Sequence, residues 1–589
     1  MKPTVSIVTI SQWVRFPCLE HVRDCLKEQT YDSIVEWVLV EGSKTKEDAQ
    51  RNAEAIRTLD TRVPIVYIPY TSEQTNLGEL RNIGNRTCKG DITVVMDDDD
   101  YYPPQRVKHA VEALSKSKAK LAGCSAMYMY DYFLGTLFQW NEFGPNHSTN
   151  NCMAWKKEYV FHHSHDPTKS SAEEASFTNG FQEPMVQLDP NKTIVASSHD
   201  GNTFRKREML IGGFLSISPT VRPVTNRTPH PHLARWTQLF VKEAPSPYDI
   251  VYMTGGFCQK WNPTDASLGG SEQAVVHLAK HWVRQGKKVA VYGEVPTMVC
   301  DGVDYMDWRT FPFHHTHSIL ILWRLYGLST TAPFPLRAKH IWFDCHDNLS
   351  DGAFLDAWRK YGNVVHKIFF KSAYHKQEFQ TRVERVSEER CVVLPNGIRT
   401  DLLLANPDNV PRNPYRFCYC SCYTRGLESI LRFLWPLIYR LEPRAELHVY
   451  YGMDGVKNDA FRQTMTALLA QPGVMDHGRQ PIHILVREKY MSTFHLYISQ
   501  TTAEVDCISI RESLVTGTIP LLSDWNVFRD RPGVHFSISD QRSYQRCSVE
   551  IVQLFRQPER LEAYRTEFRQ SPLIVDWDTI AKQWHTYAL

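Results

Sequence analysis

Four consecutive carboxylates, Asp97, Asp98, Asp99 and Asp100, follow an uncharged, mostly β-branched run in ITVVMDDDDYYPP, Ile92 to Pro104. Like charges packed together raise the free energy unless a cation compensates, and carboxylate oxygens are the ligands that Mg²⁺ and Mn²⁺ prefer. A divalent ion bound to a diphosphate is the chemistry this arrangement suits; the competing reading is a solvated acidic turn. Much later, Gly269-Gly270-Ser271-Glu272 opens the helical run QAVVHLAKHWVRQG. Paired glycines at a helix N-terminus let backbone amides approach an anion, so this is a second candidate phosphate contact, against a plain Gly-rich turn. Cys418, Cys420 and Cys422 alternate along one strand and would share a face. No fourth ligand is spaced to complete a zinc site, so they read as core packing.

The elements that must position these groups alternate. Val5 to Ile10, Trp37 to Val40 and Ile65 to Ile68 are short β-rich runs separated by helical spacing, and Asn76 to Asp91 precedes the aspartate strand. Strands alternating with helices predict a doubly wound parallel sheet. The aspartates, and Glu41-Gly42-Ser43 after the second strand, then lie at the C-terminal strand ends, where open α/β sheets bind ligands. This pattern covers residues 1–215. Prolines recur over 216–247, which reads as a connector with some packed helix near Ala234 to Val241. A second α/β pattern begins at Tyr248, breaks at NPDNVPRNP (Asn406 to Pro414) and resumes, predicting two Rossmann-like lobes over 248–405 and 406–589, with a terminal helix packing back.

At 589 residues the chain is too long for one core. Hydrophobic residues make up 42% and charged residues 22%, the balance of globular protein. The net charge of +2 gives no electrostatic case for nucleic acid as a partner. No apolar run is long enough for a signal peptide or transmembrane segment, and fourteen scattered cysteines suit reduced thiols. A cytoplasmic setting is the expectation, with peripheral membrane contact compatible with it.

VSIVTI, then VEGS, GELRNIGN and VVMDDDD, in that order, resemble the nucleotide-binding half of the GT-A fold in family-2 glycosyltransferases. The resemblance implies that Asp97 and Asp99 hold Mn²⁺ or Mg²⁺ against the donor diphosphate. It places Thr9, Glu41, Arg81 and Asp98 among the donor-binding residues, with Arg81 near the diphosphate and Glu41 on the nucleoside. The family often has two adjacent acids where this chain has Val40 before Glu41. SAEEASF resembles the family's E-D motif and implies Glu174 as general base, with Glu173 next; an exposed helix face is the alternative. His199, in SSHDGNTF, resembles a further metal ligand of related GT-A enzymes, although imidazole suits Mn²⁺ better than Mg²⁺.

From about Pro247 onward the two-lobed outline resembles GT-B glycosyltransferases of the family-4 type. Glu504 and Glu512, in AEVDCISIRESLVTGTIPLLSD, match their E-x7-E motif, implying contacts to the donor sugar and ribose and a catalytic part for the pair. Arg425 resembles the basic residue that neutralises the donor diphosphate, work to which a planar guanidinium is suited. The family usually supplies a second basic group, and none is assignable from sequence. His346 occupies a strand-end position like that of the family's histidine near the transferred sugar.

The expectation is therefore an α/β chain, GT-A followed by GT-B, that transfers sugars from nucleotide-sugar donors to a glycan or glycoconjugate acceptor. The first half would be metal-dependent and inverting, the second metal-independent and retaining. Two alternatives stand beside it: one half is a silent glycan-binding module, or the aspartate strand serves a sugar-nucleotide nucleotidyltransferase. The latter usually has a Gly-rich basic loop after the first strand, which ISQWVRFPC lacks. A Rossmann dehydrogenase is disfavoured because no G-x-G-x-x-G follows a predicted strand.

Overall fold

The computed structural model describes residues 2–69, 76–210, 220–224, 231–241, 243–255, 260–265, 268–324, 335–347, 352–404, 409–454, 456, 458–498 and 504–588. The expected boundaries at 215/216 and 405/406 lie outside these residues. The chain forms two compact units, the first made chiefly of residues up to Ala244 and the second of residues from Pro245 on.

The first unit's larger sheet has the spatial order Ile65–Ile68, Ile34–Glu41, Val5–Ser11, Ile92–Val95, Ala154–Lys156, Leu121–Gly123, Met185–Gln187. The first four strands are parallel. The aspartate strand Ile92–Val95 is buried at all four positions, as its unbroken β-branched composition requires. Strand order reverses between Val5–Ser11 and Ile92–Val95, so the aspartates emerge beside a topological switch point. A second sheet, Val195–Ser198, Tyr128–Asp131, Thr136–Trp140, Val221–Pro223, flanks the site.

The Pro-rich segment read as a connector contributes to this unit. Val221–Pro223 pairs antiparallel with Thr136–Trp140, and the helix Pro231–Phe240 buries Leu233 and Trp236. Phe240 stacks on His199 with ring centroids 3.7 Å apart.

The second unit holds two parallel sheets. In one, the order is Val303–Asp307, Val289–Gly293, Ile250–Gly255, His315–Trp323, Ala338–Asp344, Lys367–Phe370, Cys391–Val393, with Met298–Cys300 antiparallel at one edge. In the other it is Val474–Asp476, Glu446–Tyr450, Asn413–Cys420, Ser492–Tyr497, Ile519–Ser523, Val534–Phe536. Numbered within each lobe, the parallel strands of both begin 3-2-1-4, the doubly wound order of nucleotide-binding folds. The last helix, Trp577–Thr586, joins the core of the first of these lobes: Trp584 stacks on Phe369 at 3.5 Å, and the Trp282 indole donates to the Ala581 carbonyl at 3.0 Å. Gly397 makes that approach feasible, because a Cβ there would come within 2.6 Å of the Trp577 Cα.

Among the described residues every cysteine is free. No described helix is long and apolar enough to cross a membrane.

Candidate functional site

The four aspartates divide their partners. Asp97 accepts two hydrogen bonds from Arg81, at 2.6 and 2.9 Å. Asp98 and Asp99 share Arg15, at 3.0 and 3.2 Å. Asp100 accepts from Asn151 at 2.6 Å and from the Ser197 amide at 2.7 Å, with Lys206 3.8 Å away. Asp100, with the Tyr101–Val195 bridge beside it, ties the aspartate turn to the second sheet. Burial pushes Asp98 up to about 7 against the pull of Arg15, and Asp100 up to about 7 against Lys206. Asp99 is buried too, yet Arg15 and the His199 hydrogen bond hold it below the usual carboxylate range. One member of the cluster thus stays ionised while its neighbours are pushed toward the neutral form.

The acid pair meets this cluster through Arg81, whose Nε lies 3.3 Å from Glu173. Arg81 is buried and bridges Glu173 to Asp97, across 92 and 16 residues of sequence. Glu174 opens the short helix Glu174–Phe177 and is half-buried. Burial, with the charges of Glu173 and Asp97 adding to it, raises its pKa, the direction a general base needs. The turn into the pair is strained: Ala172 has a φ of 56°, a left-handed conformation that a residue with a Cβ adopts at a cost of about 1 kcal/mol or more.

The carboxylates fit a hard divalent cation in type, but the three expected ligands do not converge: the ligand atoms of Asp97, Asp99 and His199 are not within 4.8 Å of one another. Asp97 faces Arg81 instead. His199 Nε2 lies 3.2 Å from Asp99, and its Nδ1 accepts from the Gly201 amide at 3.1 Å. Nε2 also lies 3.2 Å from Asn202 Nδ2, so a carboxylate and an amide donor share that nitrogen. His199, expected as a metal ligand, here contacts Asp99 and Asn202 through Nε2.

Two further donor-site expectations change. Thr9 is fully buried, donating to the Met96 carbonyl at 2.5 Å and accepting from the Trp37 indole at 2.9 Å, so its hydroxyl braces the strand end. Glu41 does sit at the ligand-binding edge, but its two oxygens accept from the Ser43 amide at 2.8 Å, Asn52 at 2.7 Å and Tyr67 at 2.9 Å.

In the second unit, Gly269 precedes and Gly270 begins the helix Gly270–Arg284, and both line a cleft with Arg399, Arg479, Ser509 and Glu512. Gly269 has a φ of −63°, so glycine serves open approach here and not backbone freedom. Glu512 accepts from Lys489 at 2.7 Å and from Arg399 at 3.3 Å, and although burial opposes it, these cations hold Glu512 at about 2. Glu504, Arg425 and His346 do not line this cleft. Glu504 accepts from the Tyr497 hydroxyl at 2.7 Å and is ion-paired with Arg425. His346 lies 2.9 Å from Asp344, which also takes Lys371 at 2.5 Å and the Tyr252 hydroxyl. The two glutamates of the E-x7-E pair are thus held by separate cationic partners, which sequence spacing could not show.

Several residues of these clusters have no sequence signal. Arg15, Asn151 and Lys206 reach the aspartates from short helical segments distant in sequence, and Arg399 and Arg479 line the second unit's cleft. Left-handed backbone marks other turns: besides Ala172, Arg324, Tyr451 and Cys507 adopt φ of 64°, 121° and 60° at strand ends or loops of the second unit.

Residues 8–165 match the model of glycosyl transferase family 2. The first unit carries a glycosyltransferase domain. The matched segment takes in Glu41, Arg81 and all four aspartates and stops before Glu173, Glu174 and His199. Among solved structures, the chain is similar to sucrose-phosphate synthase from Thermosynechococcus elongatus, at 13% identity and a TM-score of 0.46, covering 57% of this chain and 97% of that one. It is also similar to HepE of Anabaena in complex with UDP and glucose, at 12% identity, a TM-score of 0.44 and coverage of 58% and 98%. The catalytic domain of starch synthase IV from Arabidopsis thaliana, bound to ADP and acarbose, gives 11%, 0.43, 58% and 99%. At these scores the strand orders themselves define the second unit's fold. No curated protein sequence matches the chain.

Proposed function

We propose that this glycosyltransferase moves sugars from nucleotide-sugar donors to a glycan or glycoconjugate acceptor, with an inverting, metal-dependent site in the first unit. The observation that carries this reading is the chain Glu173–Arg81–Asp97, which fixes the acid pair relative to the aspartates through one buried guanidinium. Asp99 and Asp97, the latter by oxygen lone pairs beyond those its Arg81 bonds use, would hold Mn²⁺ or Mg²⁺, whose chemistry is to neutralise charge on the donor diphosphate. His199 and Asn202, the latter 2.9 Å from Asp99, keep that carboxylate oriented. Glu174 takes the proton from the acceptor hydroxyl as the new C–O bond forms at the anomeric carbon and the bond to the diphosphate breaks. Its raised pKa makes it a stronger base than a solvated glutamate, and Glu173, spent on Arg81, positions it.

In the second unit, the reading is a GT-B transfer site, retaining and without metal. The helix N-terminus at Gly269 and Gly270, with Arg399 and Arg479, offers amides and guanidinium groups to a diphosphate, and Glu512 offers an acceptor for hydroxyls of the donor. The test uses the full chain with a panel of nucleotide sugars and analysis of product linkages. Glu174→Gln is expected to remove one linkage and Glu512→Gln another. Linkages that survive Glu512→Gln unchanged would make the second unit a glycan-binding module, a reading its internally neutralised glutamates also favour. Release of inorganic pyrophosphate from a sugar phosphate and a nucleoside triphosphate would overturn both in favour of nucleotidyl transfer.

A further inference from the structure

Cys418 and Cys420 stand two apart on Asn413–Cys420, so they share one face, opposite Phe417 and Tyr419, which enter the apolar core. His495, on the neighbouring strand Ser492–Tyr497, is the register partner of Cys418, and its flanking Phe494 and Leu496 likewise enter that core. The three side chains converge: their ligand atoms lie within 4.8 Å of one another, and no other group of three or more His, Cys, Asp and Glu among the described residues does so.

The state of His495 is an independent observation. Its Nδ1 is 2.8 Å from Ser513 Oγ, and the Ser513 hydroxyl donates to the Ser509 carbonyl at 3.1 Å. The serine must therefore accept from Nδ1–H, which leaves a lone pair on Nε2. That nitrogen is buried and has no hydrogen-bond partner. An orphaned buried acceptor costs on the order of 1–3 kcal/mol, and a cation would satisfy it.

We propose that Cys418, Cys420 and His495 bind one Zn²⁺ ion on the polar face of the second unit's C-terminal sheet. Two thiolates and a neutral imidazole cancel the ion's charge, so the buried complex is neutral. Zinc to sulfur and nitrogen distances of about 2.3 and 2.0 Å in a tetrahedron place ligand atoms roughly 3.4–3.8 Å apart. The observed cluster closes to that spacing by side-chain movement of about an ångström. Each thiol gives up its proton as its sulfur bonds the metal, so two protons leave per ion bound. Soft thiolates with one imidazole select zinc over Mg²⁺ or Ca²⁺. Cys420 also lines the cleft that holds Glu512 and Gly269, so the fourth coordination place opens to solvent from that side. Spacing along one strand could not reveal this set, because its third member belongs to the next strand.

The test titrates the metal-free full-length protein with Co²⁺, then with Zn²⁺. One equivalent of Co²⁺ is expected to release about two protons and produce a thiolate-to-metal charge-transfer band, which Zn²⁺ then abolishes with no further proton release. Oxygen ligands at the aspartates give no such band. Cys420→Ser is expected to remove it with the thermal unfolding midpoint of the metal-free protein unchanged. No band in the wild type, or a band that Cys420→Ser leaves at full strength and affinity, overturns the site. Should Cys420→Ser not fold, X-ray absorption on the zinc-loaded wild type decides: two sulfurs and one nitrogen support the assignment, and a shell without sulfur overturns it.

Discussion

Arg81 holds Asp97 by both terminal nitrogens of its guanidinium, at 2.6 and 2.9 Å, from a helix that precedes the aspartate strand. Its third donor goes to Glu173, so one side chain carries the charge balance of two carboxylates. Arg81→Ala leaves both acids without a cation and is expected to cost about 3–5 kcal/mol. Arg81→Lys keeps the charge but not the fork, and should recover part of the stability and little of the activity. Denaturant unfolding alongside sugar transfer by each variant checks this; equal activity for Lys and Arg would show that the fork is dispensable.

Glu173 and Glu174 are adjacent and chemically alike, yet their surroundings assign them different work. Glu174→Gln is expected to lower kcat about 10²–10⁴-fold with an unchanged unfolding midpoint. Glu173→Gln should lower stability as well, because it removes one of the two carboxylates that Arg81 pairs with. If Glu173→Gln proves the more damaging to kcat while stability holds, the roles are reversed.

His375 is buried and uses both ring nitrogens while neutral, Nδ1 accepting from the Lys371 amide at 3.3 Å and Nε2–H donating to the Asp347 carbonyl at 2.9 Å. Burial pushes it down to about 3 from an ordinary value of 6.5. Above pH 6.5 the folded and unfolded chains are both neutral here; between 6.5 and 3 only the unfolded chain takes the proton. Stability present above pH 6.5 is therefore lost as pH falls, with a slope of about 1.4 kcal/mol per pH unit from this residue. His375→Gln should flatten the acid limb of the unfolding midpoint by that increment, and an unchanged limb would refute the account.

Glu512 shows the opposite dependence on its partners. Held at about 2 by Lys489 and Arg399 against the effect of burial, it contributes stability above pH 4.5 that is lost as pH falls through 2. Glu512→Gln strands the buried Lys489 ammonium and should cost about 3–5 kcal/mol. Adding Lys489→Met is expected to return part of that loss, giving a coupling of about 1–3 kcal/mol in a double-mutant cycle. Strict additivity would mean that the pair does not interact.

Much of the first unit's site was legible because composition and topology coincide there. An unbroken β-branched run must be buried on both faces, and the charges directly after it must emerge at the strand end. The partners were not legible, since Arg15 and Lys206 reach the aspartates from 83 or more residues away in either direction. The Pro-rich stretch misled for a related reason. Proline interrupts regular backbone without preventing burial, and Phe240 lies against His199 from within the stretch read as a connector. Tautomers were out of reach as well: that His495 presents a lone pair depends on Ser513.

The parallel strands of all three larger sheets reverse their order between first and fourth strands, so in each the switch point lies at the C-terminal strand ends, away from the turns that lead into the strands. Gly286, at a φ of 82° with nothing within 4 Å of a Cβ, lies in such a turn, between the helix Gly270–Arg284 and the strand Val289–Gly293. A fluorophore or epitope spliced in at that turn would report on the chain without touching a catalytic mouth.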